Sequence, residues 1–105
     1  MIAMDAMHPS PTQVRMRELA QQAAQSGFAL SRLLTAGSTV GVERRIGDYV
    51  DRMILNTQRG LPSMIFRYEW DSDYPWTGTA QPEAVDYEQG EITDILTTAV
   101  TWARL

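Results

Sequence analysis

The chain has no cysteine, no lysine and a single histidine among its 105 residues. Without cysteine there is no disulfide, no thiolate nucleophile and no thiolate ligand for a metal. The one imidazole, His8, lies beside Pro9 near the amino terminus, where side chains are usually solvated. We therefore do not expect a zinc or iron site, nor a serine activated by histidine.

Motifs for phosphate, cofactor or calcium binding are also missing. No P-loop, no G-x-G-x-x-G and no G-x-S-x-G occurs. Glu69, Asp71 and Asp73 alternate like the beginning of a calcium loop, but the sixth and twelfth positions counted from Glu69 are Tyr74 and Ala80 instead of Gly and Glu. The sequence therefore predicts no metal, no cofactor and no enzymatic activity.

Long apolar runs are absent as well. No stretch approaches the roughly 18–20 apolar residues that a membrane span needs. Residues 1–11 contain no basic residue and no apolar core of the kind found in a secretory signal. We expect a cytoplasmic protein with a flexible amino terminus over residues 1–9 and a single helical domain over residues 10–105.

The charges that are present are unevenly distributed. All nine basic residues are arginines, and the formal net charge is −4. Residues 1–68 contain eight arginines and five acids, whereas residues 69–105 contain Arg104 and eight acids, a net charge of −7. An acidic chain disfavours direct nucleic-acid binding, which requires a surplus of cations on one surface. Either the two parts pack on each other, or a partner binds one of them.

Hydrophobic spacing predicts a mainly α fold, a small domain of three to five helices. The strongest pattern covers residues 39–59, where apolar residues follow helical steps and polar residues fall on the opposite face. The apolar positions are Val42, Ile46, Tyr49, Val50, Met53 and Ile54. Gly60 and Pro62 follow as a helix stop.

Two more helices are predicted, one near each end of the chain. Residues 10–13, Ser-Pro-Thr-Gln, form a capping box with proline at the first helical position, so a helix begins there. We expect one long or kinked helix to about residue 35, and the alternative is that Gly27 ends it and Ser26 caps a second helix. Small residues along it form a heptad seam that would let a second copy approach closely, and we predict a homodimer through this seam. The seam comprises Ala20, Ala23, Gly27 and Leu30. The other helix is predicted over residues 91–105, with acids at its beginning and Arg104 at its end.

Residues 64–70 have a strand pattern, because large apolar residues alternate there with Arg67 and Glu69. A strand needs a partner. This stretch is either helical, or pairs weakly with residues 97–102, or pairs with itself across the two-fold axis of a dimer. An α+β fold is therefore the alternative to a mainly α fold.

Five of the nine aromatic residues lie within eleven positions. They are Phe66, Tyr68, Trp70, Tyr74 and Trp76. They either cover a small core or form a partner-binding surface, because Trp and Tyr bury a large area with few rotatable bonds. As a surface, with Asp71 and Asp73 between the rings, they would suit a basic partner.

By elimination, we predict a small non-catalytic protein-binding regulator that occupies the surface of a partner protein. An inhibitor, an antiactivator of a transcription regulator and an adaptor all work in this way. The predicted site is the aromatic cluster between Phe66 and Trp76.

Two alternatives stay open. One is a small-ligand-binding domain or minor enzyme with a pocket between helices. The residues that would line this pocket are Tyr49, Met53, Tyr68 and Trp102. The other is a nucleic-acid binder that uses a basic helix face. The residues of this face would be Arg44, Arg45 and Arg52, although a solvated face with internal ion pairs is the expected role.

Overall fold

The structure, a computed structural model, describes residues 10–76 and 81–104. These residues form two helices and a five-stranded antiparallel sheet. In chain order the elements are α1 (Pro11–Ala24), β1 (Ala29–Leu30), β2 (Thr39–Ile46), β3 (Tyr49–Asn56), β4 (Ser63–Glu69), β5 (Asp86–Gly90) and α2 (Ile92–Trp102). The strands lie side by side in sequence order. The predicted mainly α fold of three to five helices is therefore wrong, and the α+β alternative describes the chain.

The predicted helix over residues 39–59 is instead the hairpin of β2 and β3. Ile46 faces Tyr49 across the two-residue loop Gly47-Asp48. Gly47 has a φ of 56°, and glycine with positive φ at the first position of such a loop matches the twist of the two strands. β-branched residues make up half of β2, and β3 contains Val50 and Ile54, which favours extended backbone over helix.

Residues 64–70, which the sequence left open between strand and helix, lie almost entirely in strand β4, and the partners of this strand differ from those considered. β4 pairs with β3 on one side and with β5 on the other, all within one chain. Residues 97–102 belong to α2 and do not pair with it. A two-fold axis is therefore not needed to complete the hydrogen bonding of β4.

The predicted beginning of α1 is confirmed, but its extension to about residue 35 is wrong, and so is the alternative of a second helix after Gly27. Ser10 Oγ accepts a hydrogen bond from Gln13 N at 3.1 Å, and Ser10 N donates to Gln13 Oε1 at 2.9 Å. The helix ends at Ala24, and Gly27, with a φ of 87°, redirects the chain into β1. The predicted last helix is confirmed as α2. Across residues 10–76 and 81–104, no helix has the length and apolar character that crossing a membrane requires. The flexible terminus predicted for residues 1–9 lies outside the described residues.

Both helices pack on one face of the sheet, which we call the helix-side face. The buried apolar residues between them are Leu19, Ala23, Phe28, Val40, Val42, Met53, Leu55, Ile65, Ile95 and Ala99. Side chains alternate along each strand, so the residues between these positions lie on the opposite face, which we call the far face. There Gly41 allows close packing, because a Cβ at this position would lie 2.5 Å from the backbone carbon of Leu34.

A buried ionic cluster lies on the helix-side face across β2, β3 and β4. Asp51 Oδ2 accepts a hydrogen bond from Arg44 Nε at 2.9 Å, and Asp51 Oδ1 accepts one from Arg67 Nε at 2.7 Å. Asp51 is fully buried. The hydrogen bond to Asp51 raises the pKa of Arg67 above its ordinary value, although burial acts in the opposite direction. The cluster therefore holds two guanidinium groups around one carboxylate.

The same guanidinium groups join the sheet to both helices. Arg44 donates to the backbone oxygens of Ser26, just after α1, and of Ala99 in α2, at 2.9 and 2.7 Å. Arg67 Nη2 donates to the Trp102 backbone oxygen at 2.8 Å. Cations are favourable beside the carbonyl end of a helix. The cluster thus fixes where both helices end on the sheet.

Asp51→Asn is expected to lower the free energy of unfolding by about 3–5 kcal/mol, because it leaves two buried guanidinium groups without a negative partner. Urea unfolding followed by circular dichroism measures the loss. Asp73→Asn is the matched control, since Asp73 is exposed, and we expect it to change stability by less than about 0.5 kcal/mol. Equal losses in the two variants would contradict the structural role of the cluster.

Candidate functional site

The loop that follows β4 folds back over the far face. Tyr74 and Trp76 come to lie against Tyr68 of β4, with ring centroids 5.4 Å apart for Tyr68 and Trp76 and 5.1 Å apart for Tyr74 and Trp76. Both pairs have the edge-to-face geometry that aromatic rings prefer. Together with Val50, these rings form a second, smaller core on the far face.

The five predicted partner-binding residues divide into core and surface. Tyr68 is 4% exposed and Trp76 is 6% exposed, so both belong to the small core. Phe66 and Tyr74 are half-buried against it. Trp70 is 41% exposed. The aromatic cluster therefore packs a core where Tyr74 and Trp76 meet Tyr68, whereas Trp70 and the half-buried Phe66 of β4 remain accessible.

Arg52 holds the loop on the far face. Its Nε donates to Glu43 Oε2 at 3.2 Å, its Nη2 donates to the Pro75 backbone oxygen at 3.1 Å, and its Nη1 donates to Gln81 Oε1 at 2.9 Å. Gln81 Nε2 in turn donates to the Tyr68 hydroxyl at 2.9 Å. These bonds link the strands to Pro75 and Gln81 within the β4–β5 connection.

The structure does not bring Arg44, Arg45 and Arg52 to one surface. Arg44 is buried on the helix-side face, whereas Arg52 is buried beneath the loop on the far face. Arg45 lies over the exposed ring of Trp70, with 3.9 Å between the guanidinium carbon and the ring centroid. The basic face considered for nucleic acid is therefore not formed by these residues.

The pocket residues predicted between helices are also separated. Met53 is fully buried in the main core, and Tyr68 lies on the far face. Tyr49 and Trp102 flank Arg67, whose guanidinium carbon is 4.9 and 5.1 Å from their ring centroids. A groove of about 750 Å³ lies elsewhere and is lined by residues 57–62, residues 89–93 and Arg15.

The predicted dimer seam does not form one helical face. Ala23 is fully buried in the main core, and Ala20 packs against that core. Gly27 lies in the turn after α1, and Leu30 lies on β1 with 58% of its surface exposed. The small residues of α1 thus let the helix approach its own sheet.

Sequence reasoning missed an apolar strip that crosses three strands of the far face. Ile54 lies opposite Met64 across β3 and β4, and Phe66 lies opposite Tyr87 across β4 and β5. The rings of Phe66 and Tyr87 are 4.9 Å apart between centroids. Tyr87 is 47% exposed and the other three are half-buried. We call Ile54, Met64, Phe66 and Tyr87 the apolar strip.

Acidic residues flank Tyr87 along the chain, but the acids of β5 lie on the helix-side face, because Asp86 and Glu88 are opposite Arg67 and Ile65 of β4. Residues 83–94 contain no basic residue, and their five acids are all exposed. These acids are Glu83, Asp86, Glu88, Glu91 and Asp94. Every ion pair found in the described part of the chain lies within residues 15–67. Three arginines are buried in those pairs, and Arg15 and Arg59 line the groove beside residues 89–93, so the negative charge of β5 is concentrated at Asp86 and Glu88.

No protein-family model, curated protein or solved structure matches the chain. Among the described residues, no group of three His, Cys, Asp or Glu side chains could hold a metal ion. Function is therefore inferred from the surfaces of the chain itself.

Tyr74 is expected to ionise at unusually high pH. Burial, followed by the negative charge of Glu43, raises the pKa of Tyr74 to about 12, although Arg52 acts in the opposite direction. Because the folded state favours the neutral hydroxyl, the stabilisation is complete below the ordinary pKa of about 10 and is lost as the pH rises through 12. Tyrosinate absorbance should lose one high-pH transition in Tyr74→Phe, and this variant should lose less stability over the same range. A normal titration of Tyr74 would contradict its burial.

The two tryptophans that follow β4, Trp70 and Trp76, are expected to respond differently to truncation. Trp76→Ala should lower the free energy of unfolding by about 3–5 kcal/mol, because it empties the small core and removes the hydrogen bond from Trp76 Nε1 to Asp71 Oδ1 at 2.8 Å. Trp70→Ala should cost only about 0.5–1 kcal/mol, mainly the contact with Arg45. Chemical unfolding measures both, and similar losses would contradict the division into core and surface.

Proposed function

We propose that the protein is a small, non-catalytic cytoplasmic regulator that occupies the surface of a partner protein. The observation that supports this is the apolar strip, in which partly exposed side chains from three adjacent strands form one continuous patch. Aromatic and methionine side chains are enriched at the centres of protein interfaces, and charged residues at their rims. The strip has the composition of such a centre, and exposed acids lie in the loop after β4 and on the edge strand β5.

The sheet beneath the strip limits the conformational entropy that its side chains would lose on binding. Ile54 and Met64 project from strands that are hydrogen-bonded on both sides within the sheet. Phe66 is packed between Tyr68 and Tyr87, with centroid distances of 6.2 and 4.9 Å. Side chains held in this way lose little conformational entropy when a partner covers them.

The rim favours a basic partner. Asp71 and Asp73 are exposed in the loop beside Trp70, and Asp86 and Glu88 are exposed on the edge strand that carries Tyr87, with their side chains on the helix-side face. Complementary charge accelerates encounter and excludes partners of the same sign. A transcription regulator with a basic nucleic-acid-binding surface would fit such a rim, and covering that surface would make the protein an antiactivator or inhibitor.

Met64→Arg is expected to weaken partner binding at least about tenfold, because it removes apolar area from the strip and repels a basic partner. The immobilised wild-type chain would first capture partners from a lysate of the native host. A purified captured partner is then titrated against each variant by biolayer interferometry. Val100→Arg is the matched control, since Val100 is 48% exposed on α2, outside the strip.

Thermal unfolding of both variants shows whether the fold is retained, so that a loss of binding can be assigned to the surface. Equal affinity of the wild type and Met64→Arg for the captured partner would contradict the proposal. So would catalytic turnover by the purified chain.

A further inference from the structure

β5 forms one edge of the sheet. It pairs with β4 on one side and, within the described residues, has no strand on its other side. Four of its five residues are exposed, and Gly90 is half-buried. An unpaired strand edge presents backbone hydrogen-bonding groups that another chain can use.

The hydrogen bonds of β4 show which groups of β5 point outward. Trp70 N donates to the Asp48 backbone oxygen at 2.9 Å, so Trp70 and every second residue back along β4 direct their backbone groups to β3. The residues between them direct theirs to β5, where their partners are Asp86, Glu88 and Gly90. The remaining residues of β5 therefore have their backbone groups on the outer side of the sheet.

These remaining residues are Tyr87 and Gln89. Their N–H and C=O groups face away from β4. Tyr87 N donates to Asp86 Oδ1 at 2.9 Å, so a neighbouring side chain occupies this donor. The side chains of Tyr87 and Gln89 lie on the far face, and the Tyr87 hydroxyl donates to Gln89 Oε1 at 2.5 Å. The outer edge of β5 is thus continuous with the apolar strip.

We propose that this edge receives a basic, extended segment of the partner protein as a sixth strand. The inference rests on the proposed function and names how the partner is held. Strand addition uses backbone hydrogen bonds for affinity and alternate side chains for specificity. The backbone groups of Tyr87 and Gln89 would pair with the segment after Asp86 Oδ1 releases the Tyr87 N–H, and the far-face side chains of the segment would extend the apolar strip.

Charge selects a basic segment over a second copy of this chain. Two copies paired through β5 would bring Asp86 and Glu88 of one chain beside the same acids of the other, and like charges across a strand pair are destabilising. A segment with arginine or lysine would instead meet these carboxylates as ion pairs. The exposed acids at residues 83–94 therefore oppose self-association and favour a basic strand.

A synthetic peptide provides a direct test. The probe is a fluorescein-labelled peptide of about eight residues in which arginine and valine alternate, a length typical of strands. One control replaces every arginine with glutamate, and another places a proline at the centre so that a strand cannot form. We expect anisotropy to show binding of the first peptide alone, and hydrogen exchange to show protection of the Tyr87 and Gln89 amides.

Gln89→Pro separates strand pairing from simple charge attraction. It removes one outward N–H at an edge position, where proline is tolerated, whereas Gln89→Ala keeps that N–H and removes the side chain. We expect binding of the arginine–valine peptide to fall at least about tenfold in Gln89→Pro and less than about twofold in Gln89→Ala. If Gln89→Pro does not fold, amide protection in the wild type decides.

Equal binding to both Gln89 variants, or binding without protection of the Tyr87 and Gln89 amides, would overturn the inference. A dimer seen by light scattering and abolished by Gln89→Pro would also overturn it, because a second copy would then occupy the edge. A captured partner that is lost with Met64→Arg but kept with Gln89→Pro would overturn the edge inference alone and leave the proposed function standing.

Discussion

The fold depends on one buried carboxylate shared by two guanidinium groups. Asp51 lies between Arg44 and Arg67 on adjacent strands, and this contact exists only in the observed register of β2, β3 and β4. A slip of one residue would move the side chains of a strand to the opposite face and leave a buried charge unpaired. Because the arginines also bind carbonyl oxygens at the ends of both helices, the register of the sheet and the docking of the helices are fixed together.

This register determines what the far face carries. With Asp51 and Met53 directed to the helices, Arg52 and Ile54 are directed away from them. Arg52 then draws the loop after β4 over one end of the far face, whereas Ile54 and its neighbours on β4 and β5 stay partly accessible. The buried small core and the apolar strip are therefore two outcomes of the same strand pairing.

Local signals in the sequence predicted local structure, and tertiary interactions account for what was missed. The capping box at Ser10, the strand pattern at residues 64–70 and the last helix depend on neighbouring residues, and each is present. The β2–β3 hairpin was missed because Arg44 and Asp51 occupy core-facing positions, where a strand pattern expects apolar residues. Because these two positions are charged, apolar and polar residues do not alternate along the strands. The remaining apolar residues happen to have helical spacing. The turn residues Gly47-Asp48, which follow a run rich in β-branched residues, were the signal that could have corrected this.

The candidate site could be predicted only in part from the sequence, because it too depends on tertiary interactions. The aromatic cluster is visible in the sequence. Whether each ring is buried or exposed depends on where the loop after β4 lies, and the position of this loop is fixed by Arg52 on another strand. Tyr87 was not predicted as a site residue, because the segment around it was interpreted only as acidic. On an edge strand those acids have two effects, because they repel a second copy of this chain and attract a basic segment of a partner protein. The same charge that keeps the open edge from pairing with itself thus determines the chemistry of the partner that it can accept.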